Sequence, residues 1–384
     1  MTYKFGFESD ILNYINLIDV CKINMGQSPD SKSYNDNFDG IPFFQGNADF
    51  GERYPVTRVW CNAPTKIANP NDILISVRAP IGALNFAREK CCIGRGLAAI
   101  APNTQKVSVE FIYWLLKGKT TELNSKGTGS TFKAISRKVL EETKVPDIAL
   151  EQQLKYAAVL EKLYSIINER KQQLEKLDEL VKARFVEMFG DPVLNPKSWN
   201  MAKIGDIVTE VKYGTSRPAV DDGKYPYLRM NNLTYDGHLD LTDLKRIDIP
   251  DDEIEKCIVR KGDVLFNRTN SVELVGKTCV FDEDEEMIIA GYIIRVRLKP
   301  VMLPIVLSNF MNTDALKKKL RNMAKGAVNQ ANINAQELQS ISIYLPPLAL
   351  QEQFAAFVEK TDKSKVVIET ILSIIRRVKI YDQF

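Results

Sequence analysis

The sequence predicts an α+β protein: two pseudo-symmetric, strand-rich globular domains separated by an antiparallel two-helix coiled coil. Three observations carry this prediction. The string Val145-Pro146-Asp147-Ile148-Ala149-Leu150-Glu151-Gln152-Gln153 returns two hundred residues later as Leu345-Pro346-Pro347-Leu348-Ala349-Leu350-Gln351-Glu352-Gln353. Shorter blocks upstream of it recur in the same order in both halves, which identifies a tandem duplication. Each copy of the string also opens a long heptad-patterned stretch.

Each repeat begins with strands. Asp72-Ile73-Leu74-Ile75-Ser76-Val77, Leu97-Ala98-Ala99-Ile100, Val264-Leu265-Phe266 and Tyr292-Ile293-Ile294-Arg295-Val296 are β-branched or aromatic runs bounded by Gly, Pro, Asn and Asp. Asp72-Ile73-Leu74-Ile75 answers Asp263-Val264-Leu265-Phe266, each followed by an arginine, Arg78 or Arg268. Ile41-Pro42-Phe43-Phe44-Gln45-Gly46-Asn47 answers Tyr225-Pro226-Tyr227-Leu228-Arg229-Met230-Asn231. An amphipathic helix follows, Val109 to Leu116 in the first repeat and Pro304 to Met323 in the second, and leads into a basic glycine loop. That loop runs from Gly127 to Leu140 and from Gly326 to Leu338, with Ile135 against Ile333.

Pro146 and Pro346 suit the entrance of a helix but not its interior. Beyond Pro146 and the Pro346-Pro347 pair no proline or glycine interrupts the chain until Gly190 or, in the second copy, the end of the sequence. Leu160, Ile167, Leu174, Val181 and Met188 recur every seven residues, interleaved with Leu163, Arg170, Leu177 and Arg184. The second copy gives Phe354, Thr361, Ile368 and Ile375, interleaved with Phe357, Ser364, Ile371 and Val378. Sustained heptads predict a coiled coil. The first helix would be roughly 60 Å long, more than a linker requires, and one helix per repeat pairs most economically with the other. The expected domains are residues 1–145, a long helix over 146–190, residues 191–345, and a second long helix over 346–384.

With 384 residues, 45% of them hydrophobic, the chain can build at least two cores. It has no apolar run of membrane-spanning length, and its start, MTYKFGFESD, has neither a secretory nor a transit pattern, so a cytoplasmic location without a membrane is expected. Cys21, Cys61, Cys91, Cys92, Cys257 and Cys279 form no CxxC pair, and His238 is the single histidine, so the thiols read as reduced and packed and no metal site is expected. Net charge is only +3, yet Lys117, Lys119, Lys126, Lys133, Arg137 and Lys138 crowd the first glycine loop, and Lys317, Lys318, Lys319, Arg321 and Lys325 crowd the second. Two variable domains on one frame suit a two-part linear target. Duplex DNA is such a target, because patches one helical turn, about 34 Å, apart face the same way.

The ordered blocks resemble a known family. A Pro-x-[Leu/Ile]-Ala-Leu-[Glu/Gln]-x-Gln turn opening a heptad helix, a glycine loop ending in Ile, and an Asp-[Ile/Val]-Leu strand, all twice, resemble the specificity (S) subunit of type I restriction-modification enzymes. Phe189-Gly190-Asp191-Pro192, Trp199 and Ile204-Gly205-Asp206 are also similar to that family. The resemblance covers essentially the whole chain. It implies two target recognition domains, each reading half of a bipartite, asymmetric DNA site, with the helices as a ruler for the unread spacer. It implies as partners double-stranded DNA, two modification (methyltransferase) subunits and restriction/translocase subunits. It implies no cofactor for this chain: S-adenosylmethionine, ATP and Mg belong to the partners, and the S subunit does no chemistry.

The residues agree with a non-catalytic role. An adenine methyltransferase needs a glycine-rich cofactor loop and an Asn/Asp-Pro-Pro-aromatic strand end, and neither is present. Ser271-Val272-Glu273-Leu274-Val275-Gly276-Lys277-Thr278 lacks the first glycine of a phosphate loop and runs into a strand-like Cys279-Val280-Phe281. His238 reads as a turn residue, and Tyr113-Trp114 and Phe43-Phe44 read as core. A nuclease using Asp72 and Asp263, and a two-domain scaffold or adhesion protein on a coiled-coil rod, are the rival classes. For DNA contact, Arg and Lys suit phosphate and guanine, and Asn and Gln suit adenine. The duplicated frame then nominates Gln45, Asn47, Arg78, Arg95, Lys126, Thr128, Ser130 and Lys133 in the first domain. In the second it nominates Arg229, Asn231, Asn232, Arg268, Asn270, Lys325, Asn329 and Gln330.

Overall fold

The computed structural model describes residues 13–129, 133–324 and 331–377, in two compact units: Met1–Arg170 with Thr370–Phe384, and Lys171–Glu369. In the first unit, four antiparallel strands lie in the order Cys21–Met25, Leu97–Pro102, Ile73–Ser76, Leu84–Phe86. Alternation splits Ile73-Leu74-Ile75 between two cores. Ile73 and Ile75 join Phe111, Ile112, Leu115 and Leu116 of the helix Val109–Gly118, while Leu74 joins Phe44, Ile93 and Ala99 on the other face. Both faces are covered, so the strand reads as an unbroken apolar run. A second sheet sets Ile41–Phe44 parallel to Cys91–Ile93, with Phe43 opposite Cys92.

The second unit repeats this wiring. Its antiparallel strands run Val208–Tyr213, Ile293–Leu298, Val264–Asn267, Thr278–Val280, and Tyr225–Leu228 lies parallel to Met287–Ile289 with Tyr227 opposite Ile288. Leu97 pairs with Ser76 as Ile293 pairs with Asn267, so Ala99 and Ala101 correspond to Arg295 and Arg297. Arg295 is 0% exposed and survives burial because Glu210 and the carbonyls of Ile258 and Glu255 receive its guanidinium. Arg297 holds Asp263 at 2.9 Å. One backbone frame thus carries an apolar centre in one unit and an ionic one in the other.

The expected elements form, with differences that have physical causes. The stretch expected as one helix over 304–323 is two, Pro304–Asn312 and Asp314–Met323, because Thr313 leaves the helical region and its hydroxyl caps the second at Leu316 N. The first long helix is Leu150–Phe189, and Pro146 lies in the strand Lys144–Pro146 rather than at the helix entrance. The second is Leu348–Arg377. All six cysteines are buried and unpaired. Among the described residues no helix is long and apolar enough to cross a membrane.

The repeated string proves to be two residues out of structural register. Gln153 is 2% exposed; its Oε1 accepts from Ser108 N at 3.0 Å and its Nε2 donates to Ile148 O at 2.9 Å and Lys106 O at 3.3 Å. The residue doing this in the second repeat is Gln351, 0% exposed, accepting from Leu303 N at 2.9 Å and donating to Pro346 O at 2.8 Å and Val301 O at 3.0 Å. Gln353, the partner of Gln153 by letters, is exposed. Both heptad series of the first helix lie on its covered stripe, ending in Val181, Arg184 and Met188. In the second helix Phe354, Thr361 and Ile368 are buried as expected, but the interleaved positions are Val358, Lys365 and Leu372, one residue later than expected, and Ser364 is exposed.

Within the second unit the two helices pair antiparallel. Phe354 packs edge-on against Phe185 and Phe189 at 5.5 and 5.4 Å, while Asp178, earlier on the first helix, meets Lys365, later on the second, at 2.6 Å. Asp178 also receives His238 Nε2 at 3.3 Å, joining both helices to the turn at Gly237. Burial alone would raise the pKa of Asp178; the hydrogen bonds from His238 and Lys365, and their charges, outweigh it and hold the carboxyl down at about 2.

Gln351→Ala strands the buried Leu303 N–H and should cost about 1–3 kcal/mol in urea denaturation, while Gln353→Ala should leave the midpoint unchanged. Equal effects would restore the letter-by-letter register. The stability Asp178 contributes is complete above its unfolded pKa, near 4, and is lost as pH falls through about 2. The stability gap between wild type and Asp178→Asn should therefore close as pH falls across that window; a constant gap would mean the carboxylate charge contributes nothing.

Candidate nucleic-acid interface

In the first domain the nominated residues come together. Gln45 and Asn47 follow the strand Ile41–Phe44, Arg78 follows Ile73–Ser76, and Arg95 sits between Gly94 and Gly96 in the turn joining Cys91–Ile93 to Leu97–Pro102. These four side chains, with Gly46, Ala79 and Gly96, line one recess of about 180 Å3. Gly96 allows the close approach: a Cβ there would stand 2.5 Å from Gln45 O. The glycine loop is stitched to the same edge, since Arg78 bridges Ala134 and Ala79 N donates to Lys133 O at 3.0 Å. Thr128 closes that loop through paired backbone bonds with Ala134. Lys133 is exposed, and Lys126 is exposed with its ammonium 2.5 Å from Glu122. Ser130 lies outside the described residues.

In the second domain the nominated residues are mostly engaged in the fold. Arg229 pairs with Asp243 at 2.7 Å. Asn232 is 2% exposed, its oxygen accepting from Arg229 N and its nitrogen donating to Asp240 O at 2.8 Å each, so it holds the loop rather than facing outward. Asn270 donates to Asn267 Oδ1 and accepts from Ser271 N, both at 2.9 Å. Asn231 is exposed. Lys325, Asn329 and Gln330 lie outside the described residues.

The correspondence of Arg78 with Arg268 fails by one residue. Val77 N donates to Gly96 O and Val77 O accepts from Ile135 N; Arg268 N donates to Tyr292 O and Arg268 O accepts from Ile333 N. Arg268 therefore occupies the position of buried Val77, and Thr269 that of Arg78. A one-residue slip on a strand reverses the face a side chain takes. The Arg268 guanidinium lies 4.9 Å over the Tyr213 ring.

The basic clusters divide in the same way. Lys317 is 2% exposed, donates to Tyr235 O at 2.7 Å and sits 3.8 Å over the Tyr235 ring. Desolvation pulls its pKa down to about 8, so it serves packing rather than a surface. Lys119, Arg137 and Lys138 are paired with Glu122, Glu141 and Glu142. Lys318 and Lys319 are exposed.

Other readings of the sequence also find their place. Asp72 and Asp263 cap turns, accepting from Asn69 N at 2.8 Å and Arg260 N at 2.9 Å. Lys277 of the phosphate-loop look-alike donates to Met230 O at 2.8 Å, and Thr278–Val280 is a strand. Tyr113, Trp114, Phe43 and Phe44 are buried. Sequence reasoning missed Gly46, Ala79 and Gly96 as walls of the recess, because backbone surfaces leave no side-chain signal.

The family model described as type I restriction modification DNA specificity domain matches twice, at residues 12–176 and 196–376. The chain is 43% identical over 161 residues to the putative type I restriction enzyme MjaX specificity subunit of Methanocaldococcus jannaschii, a match covering 42% of this chain and 38% of that protein. It therefore spans well under half of that relative's length. To the type I restriction enzyme EcoBI specificity subunit of Escherichia coli it is 22% identical over 384 residues, covering 90% of this chain and 78% of that one. The crystal structure of the type I restriction-modification system S subunit from M. genitalium matches with a TM-score of 0.60 at 14% identity, over 99% of this chain and 97% of that one, a likeness of fold. With both halves of the chain matched by its model, this protein belongs to the type I restriction modification DNA specificity domain family.

Proposed function

We propose that this chain is the sequence-reading subunit of a type I restriction-modification system. The observation that carries the reading is the family's domain present twice on one backbone frame, with the polar side chains exchanged between copies. Each domain, over residues 1–145 and 191–345, contacts one half of a bipartite, asymmetric site in double-stranded DNA. The long helices, over 146–190 and 346–384, belong to the common frame. The chain performs no chemistry. It brings two modification subunits, which methylate adenine at N6 with S-adenosylmethionine, and restriction/translocase subunits using ATP and Mg, to the site it reads in the cytoplasm. The recess at Gln45, Asn47, Arg78 and Arg95 and the glycine loop stitched beside it form the first domain's contact surface.

The test is co-expression of the chain with the methyltransferase encoded next to it, followed by mapping of N6-methyladenine across the host genome by single-molecule sequencing. One bipartite methylated motif that vanishes without the chain is the expected result. No assembly and no dependent methylation would move the chain to the scaffold class. In the assembled enzyme, Lys126→Ala with Lys133→Ala should weaken DNA binding and flatten the dependence of log K on log salt by up to about 1.8, two phosphate contacts at about 0.9 each. Lys126 is already paired with Glu122, so most of the change should come from Lys133. An unchanged slope would remove the glycine loop from the interface.

A further inference from the structure

Arg78 and Arg95 are exposed, and neither guanidinium has a hydrogen-bonding or ionic partner among the described residues. Arg53, Arg217, Arg229 and Arg260, by contrast, are each committed to a carboxylate. Both arginines line the same recess of about 180 Å3; Asp49, outside its lining, spends its Oδ2 on Gln45 N at 2.8 Å and Gly46 N at 3.4 Å. Two like charges around one small concavity repel unless an anion lies between them. On DNA that anion is the backbone phosphate, whose oxygens match the planar fork of arginine. A guanine edge accepts from arginine too but carries no net charge, so it offsets less of the repulsion than a phosphate does.

At the equivalent place the second domain has no open guanidinium among the described residues: Arg229 pairs with Asp243, and Arg268 stacks on Tyr213 with its Nη1 3.4 Å from Gly291 O. By the backbone pairing that equates Val77 with Arg268 and Gly96 with Tyr292, Arg78 corresponds to Thr269 and Arg95 to Gly291. Thr269 is buried, with its hydroxyl 3.1 Å from Asn332 Oδ1. We propose that the Arg78–Arg95 recess is a seat for a single DNA phosphodiester, and that the first domain anchors its half-site through it while the second anchors its half-site without such a seat. The inference rests on the DNA-reading function proposed above and adds to it an electrostatic inequality between the two half-sites.

The experiment titrates the full assembly of chain and methyltransferase against duplexes carrying one uncharged methylphosphonate linkage at a time, at several salt concentrations. For the wild-type assembly, one linkage in one half-site should weaken binding well beyond its neighbours, with no counterpart at the equivalent place in the other half. Arg78→Ala with Arg95→Ala should weaken binding to unmodified DNA, lower the salt slope by about 0.9 and abolish sensitivity to that linkage. Arg78→Lys with Arg95→Lys, which keeps the charge, should retain the sensitivity. Both side chains are exposed, so an unchanged melting temperature is expected and confirms folding. Variants that keep the wild-type slope and linkage response would overturn the seat. So would an Ala variant that instead loses its response to 7-deazaguanine, since that places the arginines on a base edge. A wild-type assembly that binds no duplex would bring down the DNA-reading function itself, and the seat with it.

Discussion

A buried glutamine amide at the start of each long helix is the constraint on which the rest of the structure depends. Gln153 and Gln351 each use one side chain to satisfy the N–H at the start of a short helix earlier in the domain, a carbonyl just ahead of that helix and a carbonyl at the entrance of their own helix. An amide can do this because it carries an acceptor and two donors without charge, so complete burial costs little once all are used. The contact ties the direction of a long helix to the sheet domain beside it. A Glu would bury a charge there and an apolar residue would orphan three backbone groups, so the position tolerates little else.

Around that fixed point the duplicated frame is preserved by its backbone and freed in its side chains. Strand order, the single parallel pair, and the acidic caps that hold Asn16 N through Asp19 and Lys203 N through Asp206 all recur. What sits inside the frame does not. Ala99 and Ala101 give the first domain an apolar sheet centre, while Arg295 and Arg297 with Glu210 and Asp263 give the second an ionic one. Buried charge of that kind is tolerable only when its counter-charges are present, which makes the second domain's interior a linked set. The same divergence reaches the surface. The first domain leaves Arg78 and Arg95 open, and the second commits Arg229 and Arg268 to Asp243 and Tyr213. Two surfaces of different electrostatic character arise from one topology.

Much of this was legible in the sequence, for reasons that can be named. Strands covered on both faces are apolar wherever no partner meets a charge, so Ile73-Leu74-Ile75 and Val264-Leu265-Phe266 announce themselves. Heptads report the covered stripe of a helix, and Leu160, Val181, Met188 and Phe354 lie on it. The second series of the second helix lies one residue beyond the apolar letters Phe357 and Ile371, which are only partly covered, because Lys365 holds the stripe with its charge met by Asp178. Nominated contact residues fared unequally. Gln45, Asn47, Arg78 and Arg95 share a recess, whereas Asn232 and Asn270 turn inward to hold their own loops, a use of short amides that composition alone does not separate from recognition.

The sequence by itself determined the duplication, the α+β class, the long helices and the order of blocks, because each of these is written in residue spacing along the chain. Only the tertiary structure decided which residues are equivalent. The matching strings at Pro146 and Pro346 are two residues out of step with the glutamines that do the same work, and Arg78 is matched by Thr269, not Arg268. Letters are compared along one dimension, but equivalence is set by which backbone groups hydrogen-bond across a sheet or at a helix start. A shift of one residue in that pairing sends a side chain to the opposite face, and with it the difference between an arginine stacked on Tyr213 and one left open at the surface.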